Sequence, residues 1–239
     1  MKLLLTLLAA GKLGKVLLTG GTMIISVFAY ALIFGFWYAA GFVLLIFVHE
    51  MGHYLAARQR GLEVGLPTFI PFVGAWIELK EMPHDVETEA WVALAGPLLG
   101  TLGALGCYWL YRASGEALFL ALAYAGFFIN LFNLIPVSPF DGGRITAILS
   151  PRVWLLGAPF LVALFLWRPS PLLVLMALLA APQLVKAWNF DPQAPENAAY
   201  YSVAAAKRLE YALYYVALGA FLAVMSYEVH EMLRSGTGT

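Results

Sequence analysis

No lysine, arginine, aspartate or glutamate interrupts residues 16–49, a run of 34 residues. As one straight helix this run would extend about 51 Å, against a bilayer hydrocarbon core of about 30 Å, so it reads as two spans. Gly35 is the expected turn, with Trp37 and Tyr38 as interfacial anchors, and the second span continues to about Ala57 before Arg58 and Arg60. Further charge-free runs separate Glu89 from Arg112, Glu116 from Asp141, Arg152 from Arg168, Arg168 from Lys186, and Glu210 from Glu228, the last three being short. Composition agrees: 62% of residues are hydrophobic and 12% charged, where soluble domains have about 45–50% and about 25%. Fourteen basic residues balance fourteen acidic ones, which argues against a nucleic-acid partner. The single cysteine, Cys107, excludes an intrachain disulfide and a cysteine-cluster metal site, and reads as helix filler.

The charges also suggest an orientation. With seven spans and a cytoplasmic N-terminus, Lys2, Lys12, Lys15, Arg58, Arg60, Lys80, Arg144, Arg152, Lys186, Lys207 and Arg208 fall inside, and only Arg112, Arg168 and Arg234 fall outside. Met1 to Ala10 resembles a signal sequence, but Lys12, Lys15 and a true span follow at once, so an uncleaved amphipathic lead-in is expected. The expected fold is an all-α polytopic membrane protein with six or seven transmembrane helices. It forms a single integral domain over 1–239, with a core at about 36–145 and outer spans at about 13–35, 152–188 and 210–229. The expected location is the cytoplasmic membrane if the source is prokaryotic. Between the second and third spans, Leu66 to Lys80 is apolar, with Pro67 and Pro71 opposing a helix and Gly74 favouring a turn, so a small membrane-associated β-hairpin is expected there. Val73 and Ile77 are taken as its ladder positions. Asn189 to Asn197 reads as a proline-bearing linker.

The chemistry starts at His49-Glu50-Met51-Gly52-His53, an H-E-x-x-H pattern inside the second span. Residues four apart share a helix face, so both imidazoles can reach one metal ion while Glu50 stands beside it. Zinc held this way keeps a position open to water and lowers that water's pKa towards about 7, and an adjacent carboxylate can take its proton. With four histidines and fourteen acidic residues in the chain, a chance match is expected only about 0.004 times. Three ionisable groups within five residues of a membrane span are costly, which favours a functional reason over a polar knot between helices. His84 in a polar loop and His230 after the last span read as solvated histidines.

A catalytic zinc normally takes three protein ligands. Asp141 is the candidate third, at the inner end of the fourth span in Asn133-Leu-Ile-Pro-Val-Ser-Pro-Phe-Asp141-Gly-Gly-Arg144. Pro136 and Pro139 interrupt the helix, and Gly142 with Gly143 permits a tight turn that would direct Asp141 inward.

The intramembrane His49-Glu50-x-x-His53, Asn133-x-x-Pro136 and Asp141-Gly142, in this order, resemble the site-2 protease family of intramembrane zinc metalloproteases. The Gly96-Pro97 pair opening the third span is also similar. The resemblance covers roughly the second to fourth spans. It implies one Zn²⁺ per chain on His49, His53 and Asp141, Glu50 as general base, and Asn133 contacting the substrate backbone or the scissile carbonyl. The implied partners are membrane proteins with a transmembrane helix, within the lipid bilayer. Neither a PDZ domain nor a nucleotide-binding CBS module is read in the chain.

Rival readings fare worse. A glutamate third ligand could come from Glu81-Met-Pro83-His-Asp85, but Pro83 breaks the helix it would need. A membrane zinc carrier or transporter needs no Glu50 and usually shows a repeat, which is not seen. A catalytically silent scaffold that binds membrane helices would not need the full set of reactive residues. A substrate helix must unwind before its carbonyls can be attacked, so the hairpin would offer a strand edge through Val73 and Ile77.

Overall fold

The computed structural model describes residues 2–72 and 74–236, without the side chains of residues 2–13, 15, 16 and 76. Helix α1 (Lys2–Phe34) and helix α2 (Phe36–Gln59) are separated by Gly35 alone. Its φ of 83° lies in the left-handed region that glycine enters without steric cost, so the long uncharged run divides at this residue. Strands β1 (Thr68–Ile70) and β2 (Gly74–Trp76) follow, then α3 (Val86–Ser114), α4 (Ala117–Asn133) and the short α5 (Asp141–Thr146). A 3-10 helix (Pro151–Leu156) leads into α6 (Gly157–Trp167), α7 (Pro171–Trp188), α8 (Pro195–Ala198) and α9 (Ala205–Gly236).

Among the described residues, five helices are long and apolar enough to cross a membrane: Leu17–Phe34 within α1, and α2, α3, α7 and α9. The sequence led to an expectation of six or seven. The difference lies in Ala117–Asn133 and Pro151–Trp167, which are apolar but shorter. Charge-free runs measure how far a chain can go without charge, not how far it stays helical. Here Pro136 and Pro139 end α4 early, and the segment after Ser150 begins as a tighter 3-10 turn. The exposed faces of these helices carry Leu32, Trp37, Leu166, Trp167 and Trp188, the surface expected where the solvent is lipid.

The main core joins α3, α4, α5 and α9 through Ala93, Leu94, Phe127, Ile145, Tyr211 and Leu222. Asp85 starts α3 by accepting a hydrogen bond from the backbone N–H of Thr88 at 2.7 Å. The strands pair antiparallel, Thr68 with Trp76, Phe69 with Ala75 and Ile70 with Gly74. Ile77 lies one residue beyond β2, so its expected ladder position is corrected: the β1–β2 ladder ends at the Thr68–Trp76 pair, and antiparallel pairing resumes only at the Val64–Leu79 bridge. Val73 lies outside the described residues. Phe69 is buried with Val43 and Ile46 of α2, which sets the hairpin against the helical turn that precedes His49. The backbone N–H of Phe69 donates to Thr22 Oγ1 of α1 at 3.3 Å, so α1 covers the outer edge of β1. An antiparallel pair exchanges both backbone bonds or neither. Ala75, opposite Phe69, therefore directs its backbone N–H away from β1.

Candidate metal centre

Helix α2 contains no proline, so its i, i+4 geometry is unbroken across His49 and His53, and both imidazoles face α3, α4 and α5. Both are buried, as are Glu50 and Asp141. Asp141 reaches them because the chain stops being helical after Asn133, turns through Pro136 and Pro139, and restarts as α5 with Asp141 in its first turn. His49 Nε2 lies 3.1 Å from Asp141 Oδ2, His53 Nε2 lies 3.2 Å from the same oxygen, and the two Nε2 atoms are 3.1 Å apart. Ligand atoms (from Glu50, His49 and His53) also lie within 4.8 Å of one another.

The protonation of both rings follows from their partners. His53 Nδ1 lies 2.8 Å from the carbonyl oxygen of Val92 on α3; a carbonyl only accepts, so Nδ1 carries the proton and Nε2 is bare in the neutral ring. His49 Nδ1 lies 2.8 Å from Asn130 Oδ1. The Asn130 amide nitrogen donates to the carbonyl of Gly126 at 2.7 Å, which orients its oxygen towards His49. That ring also carries its proton on Nδ1. Two bare imidazole nitrogens and a carboxylate oxygen thus converge on one point as an almost equilateral triangle of lone pairs, which repel unless a cation lies among them. In a tetrahedral zinc site with bonds of about 2.0 Å, ligand atoms are about 3.3 Å apart, so the donor set fits Zn²⁺ in both chemistry and spacing.

Close helix packing keeps this geometry. A Cβ on Gly96 would overlap the His53 ring, and one on Gly100 would overlap the Asn130 amide. The first explains the Gly96-Pro97 pair noted in the sequence. The second bears on Asn130, a residue that sequence reasoning missed although a buried amide in the apolar run of α4 was a legible signal. Asn133, one turn later, closes α4 and is half-buried. The amide hydrogen-bonded to the histidine cluster is that of Asn130, at His49 Nδ1. Tyr215 of α9 holds the break after α4, its hydroxyl donating to the Leu134 carbonyl at 2.6 Å. The indole N–H of Trp154 holds the far side of α5, donating to the Gly143 carbonyl at 2.7 Å. His84 is exposed in the loop before α3, and the ring of His230 on α9 lies 5.3 Å from that of Tyr124; neither belongs to the cluster. Glu81 is exposed in the same loop as His84 and accepts from the Glu63 backbone N–H at 2.9 Å.

Buried H-E-x-x-H imidazoles meeting a carboxylate within a bundle of apolar helices define the class: a candidate metal centre in a membrane-helix scaffold. Residues 37–116 match the sequence pattern of Peptidase family M50. A zinc metalloprotease of Methanocaldococcus jannaschii is 31% identical over 126 residues, 49% of this chain and 36% of that one. A chloroplastic protein of Arabidopsis thaliana named as a zinc metalloprotease is 30% identical over 146 residues, 43% of this chain and 26% of the relative. The chain thus spans only about a quarter to a third of the length of these curated relatives. A solved site-2 protease from Methanocaldococcus jannaschii aligns with 76% of this chain and 87% of its own, at 18% identity and a TM-score of 0.46.

Proposed function

We propose that this chain is an intramembrane zinc metalloprotease that cleaves peptide bonds in or near the transmembrane segments of other membrane proteins. The observation that carries this reading is the lone-pair triangle of His49, His53 and Asp141, buried on apolar helices beside the carboxylate of Glu50. A metal carrier would need the ligands but not Glu50.

In this reading His49, His53 and Asp141 hold one zinc ion. When bound, zinc supplies Lewis-acid polarisation of the scissile carbonyl and acidifies a water molecule. Glu50 would accept a proton on its buried carboxylate oxygen and return it to the leaving amine. Asn130 and the Val92 carbonyl keep both imidazoles in the ligating tautomer. Asn133 donates its amide N–H to the substrate backbone or to the developing oxyanion. The substrate helix must unwind, and its freed backbone groups need new partners in a medium without water. The outward edge of β2, at Ala75, supplies them by strand addition.

The fold in this reading is one integral membrane domain with a cytoplasmic N-terminus. Ala117–Asn133 and Pro151–Trp167 cross with the five longer helices, since about 17 residues is the lower limit for a span. This count leaves the positive charges concentrated inside and brings Asp141 to the same depth as the histidines.

The deciding experiment is Glu50→Gln in the native membrane. Zinc content should stay near one per chain while cleavage of single-span substrates falls by orders of magnitude, and the uncleaved substrates should co-purify with the variant. Cleavage at the wild-type rate would overturn the mechanism. Altered zinc flux with no change in cleavage would favour a carrier.

A further inference from the structure

Away from the metal centre, a cavity of about 350 Å³ opens between the residues before the 3-10 helix, the segment after α7 and the start of α9. Its lining includes Arg152, Arg208, Phe190, Pro192 and Tyr201, and no aspartate or glutamate lines it. Arg208 is held by three backbone carbonyls: Nη1 donates to Leu149 at 2.6 Å, Nη2 to Tyr201 at 2.8 Å and Nε to Val203 at 3.4 Å. Arg152 Nη2 donates to the Phe190 carbonyl at 2.9 Å. Among the ion pairs of the described residues, neither guanidinium meets a carboxylate. Both keep N–H donors beyond those bonded to carbonyls, because each guanidinium carries five. Phe190 and Tyr201 form an edge-to-face pair, ring centroids 4.9 Å apart, beside the two charges.

We propose that this cavity binds a phosphate-bearing ligand. Two fixed guanidiniums without acidic partners present the forked donors that a phosphate accepts bidentately. The volume lies at the small end of the roughly 300–1,000 Å³ typical of ligand sites, larger than a bare ion needs, and the aromatic pair gives the organic part of a phosphoester a surface to rest on. The charge pattern assigns both arginines to the cytoplasmic face, where the phosphate can come from an anionic lipid headgroup or from a soluble phosphomonoester. The site rests on neither the metal centre nor the proposed proteolysis.

The test uses the full chain in a neutral detergent, with two probes. Glycerol 3-phosphate is titrated while thermal unfolding is followed. Retention of phosphatidylglycerol is measured by native mass spectrometry after extraction from vesicles of equal phosphatidylcholine and phosphatidylglycerol. Arg152→Gln is the main variant: its side chain is exposed and makes one carbonyl contact, whereas Arg208→Gln also removes three tethers. Arg168→Gln is the control, and the unfolding temperature without added probe reports folding in every variant. Saturable glycerol 3-phosphate binding that weakens at least tenfold in Arg152→Gln but not in Arg168→Gln supports the site with a soluble ligand. Stoichiometric phosphatidylglycerol lost only in Arg152→Gln, without glycerol 3-phosphate binding, supports the lipid headgroup. Binding of neither probe, or equal binding by wild type and Arg152→Gln, overturns the proposal.

Discussion

Replacing Asn130 by alanine tests whether its amide oxygen holds His49 in the ligating tautomer. Asn130 is 2% exposed, and its amide oxygen is the acceptor at His49 Nδ1. After truncation the Nδ1 proton faces a buried space between α3 and α4 without its amide partner. Leaving such a donor unsatisfied costs about 1–3 kcal/mol. The ring can relieve that cost by moving its proton to Nε2 or by rotating, and either removes the lone pair aimed at the metal. At about 1.4 kcal/mol per factor of ten, zinc affinity should fall about 10–100-fold, the range usual for partners that orient metal-bound histidines. Asn130→Asp keeps an acceptor at the same distance and should retain most of the affinity. The assay is competitive zinc titration against a chromophoric chelator in detergent, with thermal unfolding to show that the fold survives. An Asn130→Ala protein within twofold of wild type, or an equal loss in Asn130→Asp, would refute the argument from hydrogen-bond orientation.

Gly96→Ala should lose zinc because its methyl group meets the His53 ring, whereas Gly106→Ala, where a Cβ meets nothing within 4 Å, should keep it; metal analysis of both proteins decides. Tyr215→Phe removes the bond to the Leu134 carbonyl and should cost about 1 kcal/mol of stability, read as a lower unfolding temperature, with slower cleavage but unchanged zinc because Leu134 adjoins Asn133. Ala75→Pro should slow cleavage without loss of zinc, and Ala75→Val, which keeps the donor, should be milder; equal and harmless substitutions would exclude β2 as a substrate edge. Single cysteines near Arg58, Arg144 and Lys186 should react with impermeant reagents from the cytoplasmic side and those near Arg112 and Arg168 from the other; Arg58 and Arg144 on opposite faces would separate the two halves of the metal site.

The sequence by itself determined the features that depend on neighbouring residues. Charge-free runs identified an apolar helical protein, a glycine divided the first run, and the i, i+4 spacing of His49 and His53 placed two imidazoles on one face of α2. Prolines at 136 and 139 marked where α4 ends, and the proline- and glycine-bearing stretch before Lys80 contains the two short strands. Other features depend on distance across the bundle, which local pattern does not encode. The meeting of Asp141 with both histidines required α4 to stop, reverse and return over 92 residues of sequence separation from His49. Asn130 was legible as a buried amide, but only the packing of α2 against α4 shows that it meets His49. The length of each apolar helix was decided in the same way, because a charge-free run records composition whereas a helix ends where backbone bonds, proline breaks and tight turns end it. The cavity holding Arg152 and Arg208 is tertiary in the strictest sense: two arginines far apart in the chain become neighbours only when the segment after α7 folds back between the 3-10 helix and α9.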